Sequence, residues 1–464
     1  MKLTTSPIIE PPLIKGNFFL GHLIDAKKEG VYFYTRMSKD HGDALRIKFG
    51  HQTVYLFFNP EHNKEVLVDK PDQFIKGAQY EPLRLLLGNG LLTSTGQNWS
   101  KQRRMLSPLF GKEGMDILLT HIDRISEKYS TPKINEEINW TKYMFEYTLE
   151  VAFASFFGAS SSPDQKEELL KASSACIRLI SKRMSNVINP PMYFPLKEHR
   201  QFRKSFLYLK NTVEEIYNSR LKISDSPAND MLDLLMKAQD TEGGNKKLTR
   251  DEVWDQILSF LIAGHETTAL TMSWFFYLLA QNPEIQEKIA EECVKNNFQF
   301  ENSLALSQYT YLMATINETM RLYPSGWILA RSAAEEATVG GFRVKKGSTV
   351  AVSPLITQRD PRWWSNPDEF IPERFLEGHA LFHQAPKNAF IPFSIGRRNC
   401  IGSRFALLEI AMFAIHFFKN NRVSTTQTNV KMKGFVTLKS DKHIQIKVSN
   451  KNLQANQFCN SLQR

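Results

Sequence analysis

Apolar residues recur along most of this chain at the three- and four-residue spacing of helices that bury one face. The clearest of these segments cover residues 99–110, 143–157, 204–221 and 282–294. Thr249-Arg250-Asp251-Glu252 matches a helix-capping box and opens an apolar segment that continues to Asn282-Pro283. We expect one helix of roughly 30 residues and ~45 Å there, long enough to cross most of the molecule.

Alternating runs typical of β-strands are few and scattered. They form three predicted pairs, at residues 44–49 with 53–58, 339–344 with 348–352, and 431–438 with 444–448. Gly50 and Gly347 supply the turns of the first two pairs. The polar stretch 225–247 predicts a surface connection. The fold is therefore predicted to be mainly α with a small β-rich portion, and residues 1–464 to form a single catalytic domain.

Two strongly apolar segments, residues 257–280 and 405–418, raise the question of membrane spans. Gly264, His265 and Glu266 lie near the middle of the first, where ionisable groups are costly in lipid, and the second is too short to cross a bilayer. Both are predicted to be buried core helices. The apolar stretch 17–24 is also too short, so we expect neither a signal peptide nor a membrane anchor.

The composition is that of an ordinary globular protein, with 42% apolar and 23% charged residues. The four cysteines, Cys176, Cys293, Cys400 and Cys459, include no CxxC pair, which argues against a disulfide framework or a zinc site and favours the cytoplasm. The formal charge of +11 is compatible with nucleic acid, an anionic membrane, an acidic protein partner or only a basic surface. Because the sequence contains no recognisable nucleic-acid-binding module, we expect no nucleic acid partner.

The segment 393–402 carries the strongest candidate chemistry. Cys400 precedes an apolar helical run, where backbone N–H groups and the positive end of the helix dipole are expected to lower the pKa of its thiol. An ionised sulfur is what a metal ligand needs. Gly396 and Gly402 allow the backbone to approach a flat cofactor, and Arg398 can neutralise a carboxylate of it. Read alone, such a cysteine is more often a small buried hydrophobe.

The whole pattern resembles the cysteine-ligand loop of the cytochrome P450 family, FxxGxRxCxG. All five specified positions match, at Phe393, Gly396, Arg398, Cys400 and Gly402. The resemblance covers residues 11–448 and leaves a polar tail at 449–464. It implies the cytochrome P450 fold and a haem b cofactor, iron protoporphyrin IX, with the cysteine as the ligand to the metal. The haem is then expected between the long central helix and the cysteine loop.

The hexapeptide AGHETT, which starts at Ala263, lies in the middle of the predicted long helix. Glycine weakens a helix there, and with a threonine it can open the backbone ladder and leave room for a small ligand. The alternative is a packed helix crossing with satisfied hydroxyls. The hexapeptide resembles the central-helix motif of the same family, which implies that Ala263 and Gly264 contact the haem. By the same resemblance, Glu266 and Thr267 are catalytic and deliver protons to bound dioxygen. His265 is expected to be a satisfied core or surface histidine.

An ExxR pair is weak evidence alone and becomes informative because the same family contains one. Glu318 and Arg321 stand three residues apart on one helix face, a spacing that permits a multiply bonded ion pair. Arg374 follows later in the chain, as in the family. The implied role of all three residues is structural, since they are expected to hold the cysteine loop in place.

Four further residues are implied to contact the haem. Trp99 and Arg103 share one face of a predicted helix, in a spacing that is common by chance and also fits a packed tryptophan with a solvated arginine. In the family, the matching helix contacts a haem propionate. With Arg331 and Arg398, these residues are implied to bind the two propionate groups.

The resemblance also implies a substrate cavity with apolar walls. The residues expected there are Leu83, Leu86, Leu87, Ile180, Phe194, Trp327, Ile328 and Phe435, each of which fits ordinary core packing equally well. Such a set suits a lipophilic substrate such as a fatty acid, a terpenoid or a steroid-like compound. The chain is therefore expected to be a monooxygenase that inserts one oxygen atom of O2 into that substrate.

Electrons for this reaction are expected from a separate carrier of the ferredoxin or flavodoxin type with its reductase, because the sequence contains no convincing flavin, dinucleotide or iron–sulfur fingerprint. Basic residues near the cysteine loop, namely Lys101, Arg103, Arg104 and Arg397, offer it a surface. Two alternatives remain: a peroxide-driven or isomerising relative, which the intact Glu266-Thr267 pair disfavours, and a haem-binding sensor or electron carrier without substrate turnover.

Overall fold

The computed structural model describes residues 9–158, 162–186, 189–222, 229–240, 243–244, 246–297, 302–382, 384–434 and 436–451. Fifteen α-helices follow one another within these residues. They are α1 Leu23–Glu29, α2 Val31–His41, α3 Pro60–Lys64, α4 Glu81–Leu87, α5 Gly96–Leu106, α6 Lys112–Tyr129, α7 Trp140–Phe157, α8 Pro163–Ser185, α9 Lys197–Leu221, α10 Met231–Lys237, α11 Arg250–Gln281, α12 Pro283–Lys295, α13 Thr310–Leu322, α14 Pro354–Thr357 and α15 Ser403–Phe418.

The strands are short by comparison. They are β1 Ala44–Phe49, β2 Gln52–Phe57, β3 Phe74–Ile75, β4 Glu137–Asn139, β5 Gln239–Asp240, β6 Lys246–Lys247, β7 Leu329–Ala333, β8 Ala337–Val339, β9 Phe342–Val344, β10 Thr349–Val352, β11 Asn421–Ser424, β12 Met432–Gly434, β13 Leu438–Ser440 and β14 Gln445–Asn450. The described strands form a five-stranded sheet in the order β1-β2-β10-β7-β3, a three-stranded sheet β11-β14-β4 and three two-stranded sheets. The prediction of a mainly α fold with a small β-rich portion is confirmed.

The three predicted strand pairs have different outcomes. The first is confirmed, because β1 and β2 are antiparallel neighbours. The second is wrong: β8 pairs with β9 around Gly340 and Gly341, whose φ angles are 56° and 78°, while β10 lies between β2 and β7. The third is also wrong, since β12 pairs with β13 and β14 lies between β11 and β4. The true neighbours of β10 and β14 are distant in sequence, so local alternation could not reveal them.

The predicted long helix is α11, which has 32 residues. Its capping box is present: the Thr249 hydroxyl accepts from the N–H of Glu252 at 3.2 Å, and the Glu252 carboxylate accepts from the N–H of Thr249 at 2.9 Å. Both flanks of the helix midpoint are buried, and the helix packs against α7 and α15. α11 and α15 are thus core helices, as expected from their apolar sequences.

The predicted surface connection at residues 225–247 contains a buried helix, so that prediction is wrong in part. α10 buries Met231, Leu232 and Leu235. Asp230 caps its first turn and pairs with Arg220 at 2.7 Å. A seven-residue helix is too short to show a helical period, which is why the sequence pattern missed it. β5 and β6 also belong to this stretch, and its residues 225–228, 241–242 and 245 lie outside the described residues.

Aromatic side chains fill the core around α11. The Trp140 ring centre lies 4.8 Å from that of Phe276, which in turn lies 5.5 Å from that of Phe413 on α15. Such tilted and edge-on pairs add to the free energy gained from burying the rings. None of the helices described is long and apolar enough to cross a lipid bilayer.

Candidate active site

The cysteine loop folds back on itself directly before α15. The backbone N–H of Cys400 donates to the carbonyl of Phe393 at 2.9 Å, and the N–H of Asn399 donates to the carbonyl of Gly396 at 3.0 Å. Gly396 has a φ of 75°, and a Cβ there would lie 2.2 Å from the carbonyl oxygen of Leu67. Only glycine fits such a position, so the tight loop accounts for this residue of the motif.

The Cys400 side chain is reached by solvent, yet protein surrounds it on most sides. Burial raises the pKa of its thiol, against the lowering effects of the Gly402 N–H and of the cations Arg103 and Lys76. The expectation of a lowered pKa is therefore wrong for the polypeptide itself, because loss of solvation outweighs the start of the helix. A metal cation held by Cys400 would supply the missing positive charge and favour the thiolate.

Three cations, Lys76, Arg331 and Arg398, lie beside this loop. Lys76 and Arg331 are buried, and Arg398 is half-buried. The guanidinium carbon of Arg398 lies 4.0 Å from the ring centre of the buried Trp99, a cation–π contact. Lys76 and Arg398 each donate to a backbone carbonyl, at 2.7 and 2.9 Å. Among the described residues, no carboxylate forms an ion pair with any of the three. The sequence motifs had indicated both arginines and the tryptophan, but not the lysine.

The charge of this cluster is not balanced by its surroundings. Burial, followed by the charge of Arg331, lowers the pKa of Arg398 to about 9. Burial and the two arginines lower the pKa of Lys76 well below its ordinary value. A cavity of about 720 Å³ borders all three cations and Trp99. Because charges removed from water require partners, the cluster suits an anionic ligand.

Arg103 contacts the cysteine loop. Its Nη1 and Nη2 atoms donate to the backbone oxygen and the side-chain Oδ1 of Asn399, at 2.9 and 2.8 Å. Asn399 directly precedes Cys400, so Arg103 fixes the loop beside the thiol. Its expected contact with a propionate stays a prediction.

The middle of α11 has one open face. Ala263 is exposed, and Gly264 and Thr267 are partly exposed, although the helix is buried on both sides of this segment. Their spacing places them on one helix face. The helix is unbroken, and the hydroxyls of Thr267 and Thr268 donate to the carbonyls of Ala263 and Gly264, both at 2.8 Å. The expected opening of the backbone ladder is therefore wrong, and small side chains provide the room.

A layer of aromatic rings joins this open face to the cysteine loop. Phe156 lies 3.8 Å from where a Cβ on Gly264 would stand, and Phe110 lies 3.9 Å from where a Cβ on Gly402 would stand. The Phe260 ring centre lies 6.3 Å from that of Phe156 and 5.3 Å from that of Phe110. The two sequence motifs therefore share one aromatic neighbourhood in the fold.

The acid of the central motif is held by a strand. Glu266 is buried, and its Oε1 accepts from the Thr437 hydroxyl at 2.8 Å and from the Lys439 ammonium at 2.6 Å. The Lys439 side chain is 30% exposed and thus connects the buried carboxylate to solvent. Glu266 and Thr267 are adjacent in sequence, but only Thr267 belongs to the open face.

His265 is buried on another side of the helix. Its ring meets that of Phe145 edge-on at 5.3 Å, and within the described part of the chain neither ring nitrogen has a hydrogen-bond partner. Burial lowers the pKa of this histidine to about 4. The expectation of a satisfied histidine is therefore wrong, because the surrounding side chains offer its nitrogens no partner.

The ExxR residues form a buried network. Arg321 donates to both carboxylate oxygens of Glu318, at 2.7 and 2.8 Å, and Arg374 donates to the same carboxylate at 3.3 Å. Arg321 also donates to the carbonyl of Gln358 at 2.8 Å, and the Gln358 amide oxygen accepts from the N–H of Ile391 at 3.0 Å. Ile391 leads directly into the cysteine loop. This path agrees with a structural role for the network.

The basic surface expected for an electron carrier is largely neutralised. Arg103 is engaged by Asn399, and the other three cations have acidic partners. The pairs are Lys101 with Glu252 at 2.8 Å, Arg104 with Asp240 at 2.8 Å, and Arg397 with Asp72. Formal charge counted along the sequence therefore overstated the free positive charge beside the loop.

The residues expected to line a substrate cavity differ in how deeply they are buried. Those on α4 and α8, namely Leu83, Leu86, Leu87 and Ile180, are buried in the main core. Trp327 is buried, Ile328 packs beside it, and Phe194 is 46% exposed. Phe435 lies outside the described residues. Their assignment to a cavity wall stays a prediction.

Four residues of the site escaped the sequence reading: Lys76, Gln358, Thr437 and Lys439. A signal existed for the last two, since Thr437 and Lys439 flank the buried Leu438 in an alternating run and so share one face of the strand. Lys76 stood out only as a lysine after the apolar pair Phe74–Ile75. For Gln358 the sequence held no signal, because the partners of its side-chain hydrogen bonds are all distant in the chain.

Comparison with known proteins agrees with this geometry. The family profile described as Cytochrome P450 matches residues 11–448. Human cytochrome P450 4V2 is 30% identical, over 95% of this chain and 90% of the relative. Cyclooctat-9-en-7-ol 5-monooxygenase of Streptomyces melanosporofaciens is 28% identical over 85% of each chain. Putative cytochrome P450 132 of Mycobacterium tuberculosis (strain ATCC 25618 / H37Rv) is 30% identical over 80% of this chain and 82% of the relative.

The chain belongs to the cytochrome P450 family. It is accordingly a monooxygenase, one of the oxidoreductases. The family implies a haem-thiolate cofactor, and its monooxygenases use O2 and a redox partner to oxidise their substrates.

Proposed function

We propose that this enzyme inserts one oxygen atom of O2 into a lipophilic substrate, a fatty acid, terpenoid or steroid-like compound. The observation that carries the proposal is the open face of α11 at Ala263, Gly264 and Thr267, in a helix that is buried on both sides of this segment. Apolar and aromatic side chains surround this face, among them Phe156 and Phe260. Such surroundings favour an apolar substrate and exclude water from the reacting atoms.

The cofactor in this proposal is haem b. Cys400 is the metal ligand, while Trp99, Arg331 and Arg398 bind the propionates together with Lys76, the cation that the sequence did not indicate. When bound, the haem supplies the iron chemistry that activates dioxygen. The unbalanced charge of the cation cluster supports this assignment.

The remaining residues of the two motifs shape the haem site. Phe393 accepts the hydrogen bond that closes the cysteine loop, and Gly396 fits against Leu67. Gly402 is the N-cap of α15 and faces Phe110, and Arg103 steadies the loop through Asn399.

Two residues of the central motif are proposed to move protons. The hydroxyl of Thr267, on the open face, would hold a proton at Oγ1 for delivery into the cavity and would be resupplied from within the protein. Glu266 is the proposed source, because its carboxylate is buried and bonded to Lys439, which reaches solvent. Glu266 thus takes protons from the Lys439 side and passes them toward the cavity.

The electron source is proposed to be a separate ferredoxin or flavodoxin-type carrier with its reductase, and the place of action the cytoplasm. Cys176, Cys293 and Cys400, the cysteines in the described residues, are free thiols, which is typical of a reducing compartment. We also propose that the chain acts as a single catalytic domain. The largest apolar core includes residues from Leu83 on α4 to Val448 on β14, in support of that view.

An absorbance titration of the haem-loaded protein tests the proposal. Fatty acids, steroids and terpenoids are added, including cyclooctat-9-en-7-ol, which appears in the name of one relative. A saturable shift of the Soret band with one class, followed by an oxygenated product under reducing conditions, is the expected result. A folded, haem-loaded protein that responds to none of these compounds would instead favour a haem sensor or electron carrier.

A further inference from the structure

A short loop at residues 17–21, here called the aromatic loop, holds two phenylalanines in solvent. Phe18 is 92% exposed and Phe19 is 79% exposed, the highest values among the exposed large apolar residues described. The two rings meet edge-to-face with their centres 4.9 Å apart. Leu20 and Ile24 beside them are also exposed. A contiguous apolar patch of this kind marks an interaction surface.

The aromatic loop has a defined shape that keeps these rings outward. Asn17 and Gly21 exchange backbone hydrogen bonds of 2.9 and 2.8 Å, and the Asn17 side chain accepts from the N–H groups of Phe19 and Leu20, both at 3.0 Å. Gly21 has a φ of 59°, and a Cβ there would lie 2.1 Å from the carbonyl oxygen of Lys48. The exposure of the phenylalanines is thus built into the backbone.

Lysines surround the aromatic loop. Four are exposed and form no ion pair within the described chain: Lys15, Lys27, Lys28 and Lys48. Ile24 precedes Lys27 and Lys28 by three and four residues on α1, so the apolar side chain and both cations share one helix face. Asp25 is an acid in the same segment, and Glu29 is engaged by Arg36 at 2.8 Å. The local charge is therefore positive.

We propose that the aromatic loop and its lysines bind the surface of an anionic phospholipid bilayer. Aromatic rings gain free energy at the boundary between headgroups and acyl chains, and lysines beside them are attracted to anionic headgroups. This is peripheral binding, and it requires no membrane-spanning helix. The rings alone would be enough to bind an apolar protein surface. The flanking lysines favour a surface that is also negatively charged, as an anionic bilayer is.

The position of the loop is consistent with uptake of a lipid-dissolved substrate. α2, which follows α1 after Gly30, buries Val31 against Trp327 and Leu438. Trp327 is among the residues expected at the substrate cavity. This link to the substrate rests on the proposed function, whereas bilayer binding itself does not depend on it.

Cosedimentation of the haem-loaded full chain with large unilamellar vesicles tests the proposal. One set contains phosphatidylcholine only, and the other adds phosphatidylglycerol as the anionic lipid. We expect binding to the anionic vesicles at low salt, weaker binding at high salt, and little binding to the neutral vesicles. Phe18→Ser with Phe19→Ser should lower the partition coefficient at least tenfold. Lys27→Gln with Lys28→Gln should lower it about fivefold per lysine.

Matched controls remove similar groups elsewhere. Val294→Ser with Leu304→Ser deletes exposed apolar surface on another part of the molecule, and Lys295→Gln with Lys387→Gln deletes two exposed lysines. Both controls should bind the anionic vesicles as the unchanged protein does. Equal melting temperatures and equal reduced carbonyl spectra show that all variants are folded and haem-loaded.

Three results would overturn the proposal. The unchanged protein could fail to bind anionic vesicles at low salt, or the phenylalanine variant could bind them as tightly as the unchanged protein. The third result is a dimer seen by sedimentation equilibrium without lipid and lost in the variant with Phe18→Ser and Phe19→Ser. The patch would then bind a second copy of the chain. Each of these readings is independent of substrate turnover, so a failure here leaves the proposed function untouched.

Discussion

Two groups of cations differ in whether an acid of the polypeptide pairs with them. The balanced cluster, so called because its two arginines share a carboxylate partner, consists of Glu318, Arg321 and Arg374. The unbalanced cluster, which has no carboxylate partner, consists of Lys76, Arg331 and Arg398. In the first, one carboxylate accepts from both arginines, and the remaining donors meet backbone carbonyls and the Ser365 hydroxyl. In the second, no acid among the described residues forms an ion pair with any cation.

The difference separates structural residues from ligand-binding residues. A balanced buried cluster is complete within the chain, so its loss is expected to affect folding before chemistry. An unbalanced cluster costs solvation free energy that only an anionic ligand can offset. The pKa of Arg398, lowered to about 9, records that cost. The family resemblance had implied the same division for the arginines, and the structure adds Lys76 to the second group.

The largest effect is expected from breaking the balanced cluster. Arg321→Met leaves the buried Glu318 carboxylate without its main partner and should lower the free energy of unfolding by about 3–5 kcal/mol. Arg343→Met is the matched control, since its pair with Glu336 is exposed to solvent, and it should leave the free energy of unfolding nearly unchanged. Urea unfolding of both variants measures the difference. Equal losses would refute the structural role of the cluster.

His265 is a further buried group without a partner among the described residues, but burial makes it neutral, so it needs no charged ligand. The pKa of this residue falls from 6.5 in the unfolded chain to about 4 in the fold, because burial disfavours its charged form. The unfolded chain therefore binds the proton first as the pH drops. Stability should fall by about 3 kcal/mol between pH 6.5 and pH 4 on account of this group. It should be unaffected by the group above pH 6.5.

His265→Leu should remove that part of the pH dependence. The quantity to compare is the free energy of unfolding of variant and unchanged protein at pH 7 and at pH 4. A difference between them that does not change with pH would mean that His265 is not neutral in the fold.

Removing one cation of the unbalanced cluster should affect cofactor retention. Arg398→Leu deletes a charge-assisted hydrogen bond to a propionate and should speed haem loss to an excess of a haem-scavenging protein by about 10- to 100-fold. Arg397→Leu is the control, because Arg397 is exposed and paired with Asp72, and it should retain haem normally. If Arg398→Leu retains haem as well as the unchanged protein does, the cluster does not bind the propionates.

The smallest effect is expected on turnover, at the ion pair of Glu266 with the partly exposed Lys439. Lys439→Met leaves Glu266 buried without its cation and should slow turnover about five- to tenfold, with an altered pH profile and solvent isotope effect. Lys442→Met, an exposed lysine close by in the chain, should behave as the unchanged protein does. If Lys439→Met keeps the normal rate and isotope effect, Glu266 does not draw protons from this side.

Local patterns predicted much of this fold and site. The capping box fixed the start of α11, and Asn282-Pro283 its end, because both act within a few residues. The loop around Cys400 was likewise readable, since glycines and spacing specify its shape. Strand pairing of β10 and β14 was not, because their partners come from distant parts of the chain.

The surroundings of individual side chains could not be predicted from the sequence either. The raised pKa of Cys400, the unpartnered nitrogens of His265 and the acid partners of Lys101 and Arg104 all depend on burial and on distant neighbours. Lys76 shows this most clearly, because nothing in its local sequence tells a buried cation from a surface lysine. Only the packed structure brings it beside Arg331 and Arg398.

The most direct test of the central claim is the reduced carbonyl spectrum of the haem-loaded protein and of Cys400→His. Thiolate ligation by Cys400 requires a strongly red-shifted Soret band in the unchanged protein, and the variant should bind haem yet lose that band. A folded, haem-loaded protein without the red-shifted band, or a variant that keeps it, would contradict the assignment of Cys400 as the metal ligand.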